Sequence, residues 1–184
     1  MNVTSLAIPD VKLLTPSVKP DSRGFFLERW NEATFREAGL PLRFVQDNHS
    51  RSTHGVLRGL HFQAGMHAQG KLVGVARGGI LDVAVDLRRG SATFGSWVSA
   101  VLDDVNLQQL WVPAGFAHGF LVLSEVADVL YKTDYPYTPE ADGGVRWDDP
   151  DIGVDWGVAG PVLSAKDAKL PFLTDLESFP EGRR

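Results

Sequence analysis

The chain has 184 residues, is 43% hydrophobic, carries a formal net charge of −5 and contains no cysteine. Those figures predict one compact domain over residues 1–184, exclude a disulfide scaffold or thiolate metal site, and leave no apolar run of about 18 residues for a membrane-spanning helix. Acidic residues outnumber basic ones 23 to 18, which argues against a broad nucleic-acid footprint but allows a local basic pocket for an anionic small molecule. From Met1 to Leu14 polar and apolar residues alternate, with Asp10 and Lys12 where an export signal would need an apolar run, so the expected address is the cytoplasm.

The first predicted element is a helix. Asn31 can cap Glu32 to Ala38, Glu32 sits in the first turn, and Gly39 followed by Pro41 ends it. From Lys71 to Lys132 the signal is β, with strands expected at Lys71 to Ala76, Ile80 to Asp86, Trp97 to Leu102, Gln108 to Val112, His118 to Leu123 and Ala127 to Thr133, and a Gly78-Gly79 turn between the first two. In the second of these, Leu81, Val83, Val85 and Leu87 share one face and Asp82 and Asp86 the other, the period-2 pattern of a half-buried strand. Six short strands at near-regular spacing predict an all-β sandwich or barrel. After Tyr137 the chain is rich in Pro, Gly and Asp and is expected to form loops and short helical turns, anchored on the β-core by Trp147 and Trp156.

Unusual polar residues cluster in a few strings that interrupt apolar runs. An unpaired charge costs several kcal/mol to bury by rough estimate, so these residues are expected to share a solvent-reaching cavity at the mouth of the barrel. His61 is the first candidate for chemistry, because imidazole titrates near pH 6.5 by rough rule and acts as a base when a carboxylate holds it. The guanidinium fork of Arg58 suits a pair of phosphate oxygens, and Lys71, opening an apolar strand, can steady a developing oxyanion. Tyr131 can deliver a proton or serve as an ordinary core aromatic. Asp167 closes Ser164-Ala165-Lys166-Asp167, which has the form of a capping box. A metal site is the rival for a histidine-bearing β-barrel, but His61-Phe62-Gln63 lacks a second histidine, and nothing local brings His67 or His118 to it.

As a set, these strings resemble the dTDP-4-dehydrorhamnose 3,5-epimerase family, a non-metal branch of the cupin jelly rolls. The resemblance runs from about Ile8 to about Asp167. It rests on Asp21-Ser22-Arg23-Gly24-Phe25-Phe26, Phe44-Val45-Gln46-Asp47-Asn48-His49-Ser50, Val56-Leu57-Arg58-Gly59-Leu60-His61, Gln69-Gly70-Lys71-Leu72-Val73, Pro113-Ala114-Gly115-Phe116-Ala117-His118-Gly119-Phe120 and Ser164-Ala165-Lys166-Asp167, in the family's order. It implies a cupin-like jelly roll, a homodimer that extends a sheet across the subunit boundary, and cofactor-free inversion of a dTDP-linked 4-keto-6-deoxyhexose. By resemblance His61 is the base, Asp167 its orienting partner, Lys71 the enolate stabiliser and Tyr131 the acid. Arg23 and Glu28 are carried over as substrate contacts reaching from the partner subunit. Gln46, Asp47, Asn48, Arg58, His118, Asp142 and Lys166 are carried over as contacts around sugar, phosphates and base. Asp142 stands where a longer acid is usual, and Phe62 replaces a tyrosine common among relatives. Intact catalytic positions argue against a non-catalytic binding module, whereas relatives that invert one carbon keep most of the same residues.

Overall fold

Short apolar runs punctuated by Gly, Pro and Asp form antiparallel ladders, and the computed structural model describes residues 1–182 of them. The strands are β1 (Asn2–Ser5), β2 (Lys12–Thr15), β3 (Lys19–Asp21), β4 (Gly24–Phe26), β5 (Gln46–Thr53), β6 (Leu57–Gln63), β7 (Lys71–Arg77), β8 (Gly79–Asp86), β9 (Trp97–Asp103), β10 (Gln109–Val112), β11 (Phe116–Val122), β12 (Val126–Thr133) and β13 (Asp142–Gly144). One sheet has the order β1-β2-β10-β7-β12-β5, a second β13-β6-β11-β8-β9, and β3 and β4 form a separate hairpin. This two-sheet sandwich is the cupin-like jelly roll expected from the sequence.

The two large sheets face each other across a core of Val73, Val75, Leu110, Val112 and Val129 from the first and Ile80, Ala84, Phe116 and Phe120 from the second. A second apolar layer covers the back of the five-stranded sheet, where Leu60, Val83, Val85 and Leu121 pack against Val145, Ile152 and Trp156 from the C-terminal loops. Trp156 also donates its indole N–H to the Trp147 carbonyl at 2.8 Å, so the two tryptophans anchor this region as anticipated. Because both faces are covered, β8 departs from the half-buried expectation: Asp82 and Asp86 are fully buried. Asp86 is offset by Arg88, Ser91 and Thr93, whereas Asp82 points into the interior between the sheets.

Helix α1 (Glu32–Glu37) begins where predicted, with the Asn31 side chain accepting the Thr34 N–H, an interaction worth about 1 kcal/mol. It ends at Glu37, one residue earlier than the sequence indicated, with Ala38 as its C-cap, and Gly39 takes the left-handed conformation with φ +66°. The C-terminal region is loop with three short 3-10 turns (Pro139–Ala141, Asp167–Lys169 and Leu173–Asp175) plus β13. Among the described residues no helix is long and apolar enough to cross a membrane.

Candidate active site

The functional side chains occupy the inner faces of the two sheets at one end of the sandwich. On the six-stranded sheet, the pairings Lys71↔Thr133, Val73↔Tyr131 and Tyr131↔Asn48 place Lys71, Tyr131, Gln46 and Asn48 on the same inward face as core residues Val73 and Val129. On the opposing sheet, His118 pairs with His61 and Phe120 with Arg58, so two residues of β11 span three of β6. In a regular strand residues three apart point to opposite faces. The extra residue in β6 cancels that alternation and turns both Arg58 and His61 inward. Gly59 makes the irregularity possible: its φ is +138°, and a Cβ there would lie 2.6 Å from the Gly119 Cα.

A cavity of about 270 Å³ is lined by His61, Lys71, Tyr131, Tyr137, Asp142 and Lys166, with Phe62, Gln63 and Gln69 completing its wall. His61 Nε2 lies 2.6 Å from Asp167 Oδ1, which leaves Nδ1 as the nitrogen free to take a proton. Ser164 caps the Asp167 N–H at 3.0 Å, as the capping-box pattern foresees, but the Asp167 carboxylate turns to His61 instead of closing the box. Burial pushes the Asp167 acid upward. The hydrogen bond and charge of His61, the Ser164 hydrogen bond and the charge of Lys166 outweigh it and hold the carboxylate below its ordinary range.

Lys71 is 8% exposed, and its Nζ donates to the His61 carbonyl at 3.3 Å. Burial lowers this ammonium to about 8, while the charges of Asp82 and Asp142 act to keep it protonated. The Tyr131 phenol is pushed up by burial, against a downward influence from Arg58, and so holds its proton at neutral pH. An imidazole on one sheet, a protonated phenol on the other and an ammonium at the side of one cavity together supply a base, an acid and an oxyanion partner.

The remaining sequence candidates divide. Asp142 accepts hydrogen bonds from the Tyr137 hydroxyl at 3.0 Å and from Lys166. Arg58 donates to Ser52 at 3.0 Å on the inner face of β5, and His118 Nε2 lies 2.7 Å from Asp82 Oδ1. Gln46 and Asn48 bond to each other, and the Gln46 carbonyl oxygen accepts the Tyr137 N–H. Asp47, in contrast, points to the outer face of the sheet, where it pairs with Lys132 beside a separate cavity of about 510 Å³ shared with Arg29 and His49. Arg23 is exposed and paired with Asp21, and Glu28 accepts from Asn31; neither lines the His61 cavity of its own chain.

Sequence reasoning did not single out Asp82, Tyr137, Gln63 or Gln69. The two glutamines fix the loop that carries Tyr137. Gln63 donates to the carbonyls of His67 and Pro136 and accepts the Thr138 N–H, and Gln69 donates to the Tyr135 carbonyl. The available signal was an amide at two inward positions beside apolar strands, which requires buried partners. Among the described residues no group of three or more His, Cys, Asp or Glu side chains is arranged to hold a metal ion.

A family model described as dTDP-4-dehydrorhamnose 3,5-epimerase matches residues 5–175. The chain is 54% identical over 182 residues to the dTDP-4-dehydrorhamnose 3,5-epimerase of Pseudomonas aeruginosa, covering 98% of this chain and 100% of that protein. The structure is similar to that of dTDP-6-deoxy-D-glucose-3,5-epimerase from Legionella pneumophila in complex with dTDP-4-keto-L-rhamnose, with a TM-score of 0.93 and 45% identity over 100% of this chain and 99% of that one. A dTDP-4-dehydrorhamnose 3-epimerase from Streptomyces niveus is 40% identical over 176 residues, 95% of this chain and 85% of that protein.

Proposed function

The chain belongs to the dTDP-4-dehydrorhamnose 3,5-epimerase family, and from that premise we propose that it inverts C3 and C5 of dTDP-4-dehydro-6-deoxy-D-glucose to give dTDP-4-dehydro-L-rhamnose in rhamnose or related deoxysugar synthesis. The observation that carries this reading is the placement of His61 and Tyr131 on facing sheets around one cavity, with Lys71 beside them. Both carbons flank the C4 ketone. Removing a proton from either creates an enolate, so inversion requires a base on one face of the ring, a cation at the C4 oxygen and an acid on the other face.

His61 Nδ1 takes the proton, and Asp167 fixes the imidazole and stabilises its cationic form. Lys71 neutralises the enolate oxygen, and Tyr131 returns a proton from the opposite side. No metal or organic cofactor is needed for these steps. Outside the sugar, Arg58, Gln46, Asn48, His118, Asp142 and Lys166 hold the ring, diphosphate and base. Tyr137, half exposed at the cavity edge and oriented by Asp142, offers its ring as a platform for thymine.

The active species in this reading is a cytoplasmic homodimer of single-domain subunits. Its support is the β3–β4 hairpin, which carries Phe25 and Phe26 at 59% and 63% exposure next to Arg23. Aromatic rings so exposed on a two-stranded hairpin call for a partner surface. In the dimer, Arg23 and Glu28 complete the partner's site, and Asp47 contributes from the outer face of β5.

Incubating dTDP-4-dehydro-6-deoxyglucose with the protein in heavy water and following C3 and C5 by NMR tests the reaction. Deuterium at both carbons with an L-configured product is expected. Label at C3 alone identifies a mono-epimerase, and no label at either carbon overturns the enzyme reading. Light scattering coupled to size-exclusion chromatography tests the dimer.

A further inference from the structure

We infer that Asp82 is a positioning residue for the reaction: one buried carboxylate that orients His118 and keeps the Lys71 side chain cationic inside the apolar sandwich. The inference deepens the assignment of Lys71 as the enolate partner and rests on it. Asp82 is fully buried in β8, on the inward face it shares with Ile80 and Ala84. One oxygen, Oδ1, meets His118 Nε2 at 2.7 Å, while Oδ2 is buried with no hydrogen-bond partner among the described residues. A carboxylate oxygen left without a donor in such a place is costly unless a positive charge compensates it.

The groups facing Lys71 identify that charge. From β8 comes Asp82, from β13 Asp142, from β6 His61, from β12 Tyr131, and from the loop before the Asp167 turn Lys166, while His118 of β11 meets Asp82 itself. Asp142 is already engaged by Lys166 and Tyr137, and Asp167 by His61. Among the described residues, Asp82 alone of these carboxylates has a fully buried oxygen without a hydrogen-bond partner. Among the described residues Lys71 makes no direct ion pair, and its Nζ donates to the His61 carbonyl. Asp82 therefore acts on Lys71 through space, in a region of low dielectric where charges separated by several ångströms still interact. Burial drives the ammonium toward neutrality, and Asp82 is the larger of the two opposing influences. A neutral lysine would lose its purpose, since an amine cannot offset the negative charge that gathers on the ketone oxygen.

The test is a pH titration of the ¹⁵N-labelled lysine side chains by NMR in the substrate-free wild type and in Asp82→Asn, alongside kcat/KM from pH 6 to 10. For the wild type, the Lys71 signal is expected to titrate near 8. In Asp82→Asn its midpoint should fall by about one unit, with the alkaline limb of kcat/KM moving by the same amount, a loss of about tenfold at pH 9. In a Lys71→Arg background, where the guanidinium stays charged, adding Asp82→Asn should leave the alkaline limb unmoved. An unchanged Lys71 midpoint in folded Asp82→Asn overturns the inference. Should that variant fail to fold, Asp82→Ser takes its place: a Lys71 midpoint below that of the wild type supports the inference, and an unchanged one overturns it. Absence of deuterium exchange in the wild type would instead strike the proposed reaction, leaving the Lys71 titration to report on Asp82 independently.

Discussion

The cavity has two kinds of wall. Lys71, Tyr131 and His61, with His118 and Asp82 buried nearby, ride on central strands whose ladders fix their positions, whereas Tyr137, Asp142, Lys166 and Asp167 come from the final third of the chain, where turns and a three-residue strand are tied down by individual side chains. The strand wall holds the groups that move protons and charge. The loop wall holds substrate contacts alone, sharing that task with Arg58, Gln46 and Asn48 on the strands, and Asp167 is the exception that reaches back to the base. Groups that must face one another across a reacting ring tolerate errors of only fractions of an ångström, and sheets deliver that precision more readily than loops do.

On this division, substitutions of the strand groups His61, Lys71 and Tyr131 should change kcat and those on the loop wall KM. The largest loss is expected from His61→Ala, which should lower turnover by at least about 10³-fold and abolish deuterium wash-in at both carbons. Exchange persisting at wild-type rate would transfer the base to another residue. Lys71→Met should follow, with kcat reduced by about 10²- to 10³-fold and KM changed far less, the signature of an oxyanion donor. Tyr131→Phe is expected to be intermediate. It should retain deprotonation, seen as isotope exchange, while slowing formation of the C5-inverted product by about 10- to 100-fold; equal loss of exchange and inversion would remove the tyrosine from its role as acid. The smallest effect on chemistry belongs to Gln63→Ala. Freeing the Tyr137 loop from its buried amide should raise KM several-fold with kcat nearly intact and cost about 1–3 kcal/mol of stability by thermal or denaturant unfolding. A fall in kcat matching that of Lys71→Met would erase the distinction between the walls.

The same division explains what was legible in the sequence. Strands β7 to β12 were found because their apolar residues repeat with the period of a sheet, and α1 because Asn31 and Gly39 mark its ends. Strand β5 was not, because its inward residues are Gln46, Asn48, Ser50 and Ser52. Both sides of the strand are therefore polar, and no hydrophobic alternation remains. In β6 the pattern is broken by the extra residue at Gly59, and the short strands β1 to β4 offer too few residues for a period to show.

Of the proposed catalytic set, His61, Lys71, Tyr131 and Asp167 are named from motif resemblance, and the fold brings all four around or beside one cavity. Asp82 was visible as a polar residue in an apolar strand but was assigned to a solvent face. Its burial depends on the second sheet, which no local pattern announces. The turn of Asp47 away from Asn48 follows from strand alternation, whereas a motif treats neighbours as equivalent.

The extra residue in β6 has a consequence for selectivity. Because Arg58 and His61 are joined by two intervening residues of one strand, the gap between the group proposed to grip the diphosphate and the group proposed to remove the proton starts from a spacing written into covalent backbone. The strand works as a ruler. In the proposed reaction it presents to the imidazole those carbons lying at a set reach from the anomeric linkage, and a sugar on a longer or shorter tether would bring the wrong carbon to the same mark.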